Sequence, residues 1–448
     1  MGVGESGLRT NKTALFAFVF IVFLLVSHFA VISVDPAHLI VQAEPVRFFG
    51  NIIVDSIDYA SAVSAGDVDG DGFADVIAAK IGAGLSWFRY PNWNEYSIGS
   101  FDWRSEEIKC VDIDADGDLD VVGAQDSNNK VYWFENPRPN GNPKGTWASH
   151  YIGNCRYGFI GFGVADFNND GKLDVVARAD AYFGKGETSI FVQNQSSWST
   201  VKTVPTRSHD GLDVGDLDGD LDADIVLNGF WLENPYPDIS GTWSEHNIDN
   251  KWWNQTTDNR ANGWADNNAR TVVVDLNKDG RLDVLLSHSE KPGYPISWYE
   301  TSNPRSGSWI EHVIGYVDYC HTLLVGDMDL DGYLDVVASK FERSDGLFPP
   351  PFPIKVYYNN GNSLSWNETA VSDFGVYKGV LGDIGTDGDL DIIGSRGYLK
   401  PPVEIWINSP TPTSTPTPTA TPTPTVEPTP RPERTPIARI RGAQTIWI

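Results

Sequence analysis

Aspartate recurs at alternate positions in seven short stretches of this chain. The first stretch holds Asp67, Asp69, Asp71 and Asp75, and the second Asp112, Asp114, Asp116 and Asp120. The third holds Asp166, Asn168, Asp170 and Asp174, and the fourth Asp216, Asp218, Asp220 and Asp224. Asp275, Asn277, Asp279 and Asp283 form the fifth, and Asp327, Asp329, Asp331 and Asp335 the sixth. The seventh has Asp383, Asp387 and Asp391, with Gly385 at its third position. Side chains at positions 1, 3 and 5 of an extended turn converge on one point. A glycine at position 6 permits a sharp bend, and the Asp at position 9 closes the site. Leu221 stands where the fourth stretch would have that glycine. Hard oxygen donors at this density select Ca²⁺, at about 2.3–2.6 Å, over softer metals. An EF-hand shares the opening of the pattern. It needs a bidentate Glu at position 12 and a following helix, and here β-branched strand residues follow instead.

One such turn would be an ordinary Asp/Gly connection between strands. Seven in register, 45 to 59 residues apart, are a repeat. That period belongs to a propeller or solenoid with one supersecondary unit per repeat. A short apolar strand leads into each turn, as in Ala62–Ala65 or Thr322–Val325, and another follows, as in Val336–Ala338. An aromatic strand comes next, for example Tyr132–Phe134, Phe230–Leu232 or Val356–Tyr358. The fourth strand opens with Trp147, Trp198, Trp243, Trp309 or Trp366. Four strands per repeat make one blade. The expected fold is therefore all-β, a seven-bladed β-propeller of four-stranded antiparallel blades.

Phe49 precedes Asp67 by the same 18 residues that separate Trp309 from Asp327. The segment 48–54 thus reads as a fourth strand without the three before it. The last repeat stops after its third strand, near Ile407. The N-terminal strand is expected to complete the last blade and remove an exposed sheet edge.

The two ends lie outside the repeat. Arg9 and Lys12 precede an apolar run, Ala14–Val34, long enough to span a bilayer, and Val41-Gln42-Ala43 offers a cleavage site beyond it. Residues 1–45 are read as a signal-anchor or a cleaved signal peptide. Either way the rest of the chain lies outside the cytoplasm, secreted or held at the cell surface. Residues 46–408 form the propeller. Residues 409–448 begin with a Pro/Thr-rich stretch that favours an extended stalk, and end in a short tail. The net charge of -27 should repel nucleic acid and anionic membrane surfaces, which leaves the N-terminal segment, if uncleaved, as the contact with a membrane. The three cysteines, Cys110, Cys155 and Cys320, are too few for a disulfide scaffold.

These turns resemble the FG-GAP and VCBS-like repeats of the integrin α-subunit head and of many microbial surface proteins, over roughly residues 46 to 408. The resemblance implies a seven-bladed propeller with calcium in the loop joining the first and second strands of a blade. It also implies a ligand face opposite those loops. Some similar propellers among carbohydrate-active enzymes carry a lyase or dehydratase site.

If the acidic loops occupy one face, the starts of the first strands and the ends of the second strands face the other, around the central axis. These segments are basic and aromatic. Arg156, Arg207, His209, Arg270, Tyr319, His321 and Lys378 lie at first-strand starts, and Arg178, Asn228, His288 and Lys340 at second-strand ends. Such a mouth suits an anionic glycan or an acidic protein partner; the plainer alternative is solvated residues around a watery channel. His150, His246 and His312 recur as W-x-x-H in the fourth strand and are expected to be structural. Two functions follow. One is an extracytoplasmic recognition or adhesion module for a glycan or protein. The other is a polysaccharide lyase with His209 or His321 as base, Tyr319 as acid and an arginine on the uronate carboxylate. The insertion Asp249–Asn267, with Trp252, Trp253 and Trp264, is either a binding loop or a lid over blade packing.

Overall fold

The computed structural model describes residues 47–409 except 55–56, 58, 101–104, 106, 126–128, 156–157, 180–185, 195–196, 208–209, 256–266, 343–345, 347 and 397–402. The apolar run near the N-terminus and the Pro/Thr-rich stretch lie outside the described residues. Among the described residues no helix is long and apolar enough to cross a membrane.

Alternating apolar residues and tight Asp/Gly turns produce strands throughout. The first, β1 (Arg47–Val54), stands alone in sequence. Blade one follows as β2 (Ala60–Gly66), β3 (Asp75–Lys80), β4 (Gly84–Arg89) and β5 (Asn94–Gly99). Blade two is β6 (Ile108–Val111), β7 (Asp120–Gln125), β8 (Lys130–Glu135) and β9 (Ala148–Asn154). Blade three is β10 (Phe159–Ala165), β11 (Asp174–Ala179), β12 (Gly186–Asn194) and β13 (Ser197–Thr206). Blade four is β14 (Leu212–Gly215), β15 (Asp224–Leu227), β16 (Phe230–Glu233) and β17 (Ser244–Asn247). Blade five is β18 (Ala269–Val274), β19 (Asp283–His288), β20 (Pro295–Glu300) and β21 (Ile310–Tyr316). Blade six is β22 (Cys320–Gly326), β23 (Asp335–Lys340), β24 (Ile354–Asn359) and β25 (Trp366–Ser372). Blade seven has β26 (Lys378–Gly382), β27 (Asp391–Ser395) and β28 (Val403–Ser409).

The seven sheets are four-stranded and antiparallel, and in six of them the strands follow chain order. The seventh runs β1-β28-β27-β26, with Arg47 opposite Ser409 and Val54 opposite Val403. The expected closure by the N-terminal strand is present. It pairs the two ends of the ring, and the innermost strands β2 and β26 then lie side by side.

Apolar side chains between adjacent blades form the core. Trp87, Trp231, Trp298, Tyr299, Tyr357 and Phe191, all on third strands, are fully buried. The blades approach closely enough to require glycine. At Gly99, Gly153 and Gly315, near the end of a fourth strand, a Cβ would enter the ring of Phe134, Phe191 or Tyr357 in the next blade. The three cysteines are buried.

Candidate metal loops and central mouth

Every acidic turn joins the first and second strands of its blade. The position 1 carboxylate accepts the N–H groups of positions 5 and 6 in all seven. Asp67 takes Asp71 and Gly72 at 3.0 Å each, and Asp383 takes Asp387 and Gly388 at 3.1 Å each. This wraps the turn around its own first residue. The wrap needs positive φ at position 6, between 86° and 98° where that residue is glycine; Leu221 adopts 76°.

The Asp at position 9 is buried and holds two backbone segments. Asp335 accepts Met328 N–H from position 2 of its own turn at 2.8 Å, and Asn359 N–H from the end of β24 at 2.8 Å. Asp75, Asp120, Asp174, Asp224 and Asp391 do the same with Val68 and Tyr90, Ile113 and Asn136, Phe167 and Gln193, Leu217 and Asn234, and Ile384 and Asn408. Asp283 accepts Leu276 N–H at 3.0 Å.

Several of the same residues then reach across the blade seam. Asn136 donates its amide to Val68 O in blade one, Asn234 to Phe167 O in blade three, and Asn408 to Met328 O in blade six. Gln193 reaches Ile113 O, and Ser363 reaches Leu276 O. Each acceptor is the position 2 carbonyl of the preceding acidic turn. The mark these residues leave in the sequence is Glu-Asn-Pro, at 135–137 and again at 233–235.

The donor set fits calcium. Carboxylate oxygens of Asp67, Asp69 and Asp71 lie within 4.8 Å of one another, as do those of Asp112, Asp114 and Asp120, of Asp216, Asp218 and Asp224, and of Asp327, Asp329 and Asp335. Position 7 adds carboxylates beyond those at positions 1, 3, 5 and 9. Asp118, Asp222 and Asp389 are buried, and Asp118 accepts no hydrogen bond on either oxygen. One oxygen each of Asp222, Asp389 and Asp69 is likewise buried without a donor. Burial, then neighbouring carboxylates, pushes Asp118 and Asp222 up to about 7 and Asp329 up to about 6. Burial also lifts position 9, to about 7 at Asp75 and Asp174 and about 8 at Asp120, Asp283, Asp335 and Asp391. Buried, crowded, all-oxygen groups of this kind are what a hard divalent cation neutralises.

The third strands bring further charge to the turns. Glu135, Glu233 and Glu300 end β8, β16 and β20. Each pairs with the W-x-x-H histidine beside it: His150 at 2.7 Å, His246 at 2.6 Å and His312 at 2.8 Å. Those histidines stack on Trp133, Trp231 and Trp298. Glu233 lies within 4.8 Å of Asp218 and Asp220, and Glu300 accepts the Asn277 amide at 3.0 Å. In blade one the residue ending β4 is Arg89, whose Nε lies 2.6 Å from Asp69.

A central channel of about 830 Å³ runs from the acidic turns, where Asp166 and Asp216 line it, to the opposite face, where Arg178, Arg270, His321 and Lys378 line it. Arg270 lies 3.6 Å from Asp210, and its Nη2 is 2.6 Å from His321 Nδ1. His321 is 3% exposed; burial, then Arg270, drives it well below the usual imidazole range. Arg207 is paired with Glu245 at 2.5 Å and stacks on Trp253 and Phe230. Tyr319 stacks on Phe348, with the Lys340 ammonium over its ring. Lys378 opens β26 beside the Tyr377 ring. Arg178 is fully buried and donates to Arg207 O, Asp210 O and Asn228. Arg156 and His209 lie outside the described residues, so the His209–His321–Tyr319 arrangement is not on view. In the insertion, Trp252 is buried and donates to Tyr299 Oη at 2.8 Å, while Trp253 donates to Asn247 at 3.0 Å. Trp252 belongs to a buried cluster and Trp253 packs partly buried beside another; Trp264 lies outside the described residues.

A family model described as an FG-GAP-like repeat matches residues 112–177 and 275–338. The T-cell immunomodulatory protein of Mus musculus is 24% identical over 283 residues, covering 54% of this chain and 44% of that protein. Cartilage acidic protein 1 of Xenopus tropicalis is 22% identical over 159 residues, covering 34% and 24%. The chain spans less than half the length of these curated relatives. A rhamnogalacturonan lyase of Bacillus licheniformis superposes with a TM-score of 0.44 at 12% identity, covering 78% of this chain and 71% of that one. With matched repeats in blades two to three and five to six, and the same turn in all seven blades, the chain is a seven-bladed β-propeller carrying FG-GAP-like repeats.

Proposed function

We propose that this propeller is a calcium-loaded recognition or adhesion module, exposed outside the cytoplasm, that binds a glycan or a protein on the face opposite its acidic turns. The observation that carries the reading is the crowding of carboxylates in those turns, with Asp118 and Asp389 buried and short of hydrogen-bond donors. A fold that gathers such charge seven times relies on a cation abundant where it works, and millimolar calcium is extracellular in character. The basic flank and apolar run at the N-terminus support the same location.

The mouth is less basic than its sequence suggested, because Glu245 and Asp210 lie against Arg207 and Arg270. A ligand there meets mixed charge and aromatic surface, which favours selective contact over bulk attraction to polyanions. The test is a glycan-array screen of the full-length chain in calcium and in chelator, with product analysis of any hit. Calcium-dependent capture of an intact glycan supports the module. Unsaturated sugar products that vanish on replacing His321 would make it a lyase. No glycan binding would direct the search to protein partners.

A further inference from the structure

Loops one and four each hold a guanidinium among their carboxylates, and we propose that Arg89 and Arg305 are the resident cations of these two loops, which therefore bind no calcium while the arginines are in place. The inference rests on the reading that the other loops are calcium sites.

Arg89 ends β4, where three other blades carry Glu135, Glu233 or Glu300. Its Nε lies 2.6 Å from Asp69, its Nη2 is bonded to Asp71, and its Nη1 donates to Tyr90 O at 3.2 Å. Positions 3 and 5 of loop one are thus both bound to one planar fork, the geometry that guanidinium provides and an ammonium does not.

Arg305 arrives from the next blade. It sits in the 3₁₀ turn Pro304–Ser306 between β20 and β21, and its Nη2 lies 2.5 Å from Asp218, 2.8 Å from Asp220 and 2.8 Å from Glu233. The Asp218 side chain is 1% exposed, so the arginine closes the loop as a lid. Loop four is also the one with Leu221 in place of glycine. In loops three and five, by contrast, the nearest cation reaches a single carboxylate: Lys172 to Asp170 at 3.9 Å, and Arg281 to Asp279. Calcium requires six to eight oxygens around it. In loops one and four a guanidinium already lies against the carboxylates of positions 3 and 5, and this resident positive charge opposes a second cation.

Equilibrium dialysis with radioactive calcium on the full-length chain tests this. Arg89→Gln and Arg305→Gln should each gain one bound ion per chain, and the double variant two. Seven ions on the wild type, or unchanged counts in variants whose circular dichroism shows a folded ring, would overturn the proposal. Should the variants not fold, a wild-type crystal grown in calcium decides. An ion among Asp67, Asp69 and Asp71, or among Asp216, Asp218 and Asp220, overturns it; ions confined to other loops support it. Absence of calcium from every loop of every protein tested would instead remove the calcium reading itself, and this inference with it.

Discussion

Replacing Asp335 by alanine separates the two jobs a position 9 carboxylate can hold. Asp335 is fully buried, and its two oxygens accept Met328 N–H and Asn359 N–H, each at 2.8 Å. Alanine leaves both donors buried and unpaired. At about 1–3 kcal/mol per stranded group, the loss is about 2–6 kcal/mol. At roughly 2 °C per kcal/mol for a domain of this size, the melting temperature should fall by about 4–12 °C. The fall should be present in EGTA as well as in calcium, because neither donor involves a cation. Asp329→Ala is the counterpart. Asp329 accepts only Asp331 N–H, at 3.3 Å, and burial and the neighbouring Asp331 charge raise its pKa. In EGTA its loss should be neutral or slightly stabilising. In calcium at 100 times the dissociation constant, the ring should lose up to about 2.7 kcal/mol of ligand-linked stability. Thermal melts of the three proteins in calcium and in EGTA give the answer. Asp335→Ala melting like the wild type in EGTA would refute the staple and leave position 9 as a metal ligand only.

Proton linkage gives opposite slopes with and without calcium. Folded-state values of about 7 to 8 at Asp75, Asp120, Asp174, Asp283, Asp335 and Asp391 exceed the ordinary 3.8, so the calcium-free ring holds protons that the unfolded chain has shed. Its stability from these groups is complete below about pH 4 and falls as pH rises through 7 to 8. Urea midpoints in EGTA should therefore drop from pH 5 to pH 8.5 and rise over the same range in excess calcium, where protons compete for the ligands. A flat profile in EGTA would contradict the assignment. Asn234→Ala removes the donor to Phe167 O and Ala223 O and should cost about 1–3 kcal/mol in urea unfolding, independent of calcium. Gly315→Ala drives a Cβ into the Tyr357 ring and should cost about 1–3 kcal/mol by overpacking, read as a lower melting temperature.

The repeat was legible because its spacing is set by the backbone. Asp at positions 1 and 9 is required to hold particular N–H groups, and a residue of positive φ is required at position 6, so the pattern survives in every blade even where Leu221 or Gly385 departs from it. Closure by β1 was legible for the same reason, since a fourth strand keeps a constant distance from the next acidic turn. Side-chain partners drawn from different blades were not legible. Arg305 and Asp220 are 85 residues apart, and Arg270 and His321 are 51 apart. The second separation is close to one repeat and the first is not, so spacing can place residues in neighbouring blades without showing which side chains meet across a seam. The mouth therefore read as basic when Arg207 and Arg270 each stand beside a carboxylate.

The seams between blades tie these observations together. The position 2 residue of an acidic turn gives its N–H to the position 9 carboxylate, and in several blades its carbonyl accepts from the next blade, as Phe167 does from Asn234. A turn that loses its cation leaves position 1, 3 and 5 carboxylates repelling one another at the point where that seam is latched. Chelation should then raise hydrogen exchange at the position 2 amides of Ile113, Phe167, Leu276 and Met328. Leu217 is the informative contrast. Its turn is neutralised by Arg305, which is carried by blade five, so the clamp across that seam does not depend on calcium. Its amide should keep its protection in EGTA, and should lose it in Arg305→Gln once calcium is withdrawn. Equal loss at Leu217 and Met328 in the wild type would mean that guanidinium does not substitute for the ion, and that the seams respond to chelation as one unit.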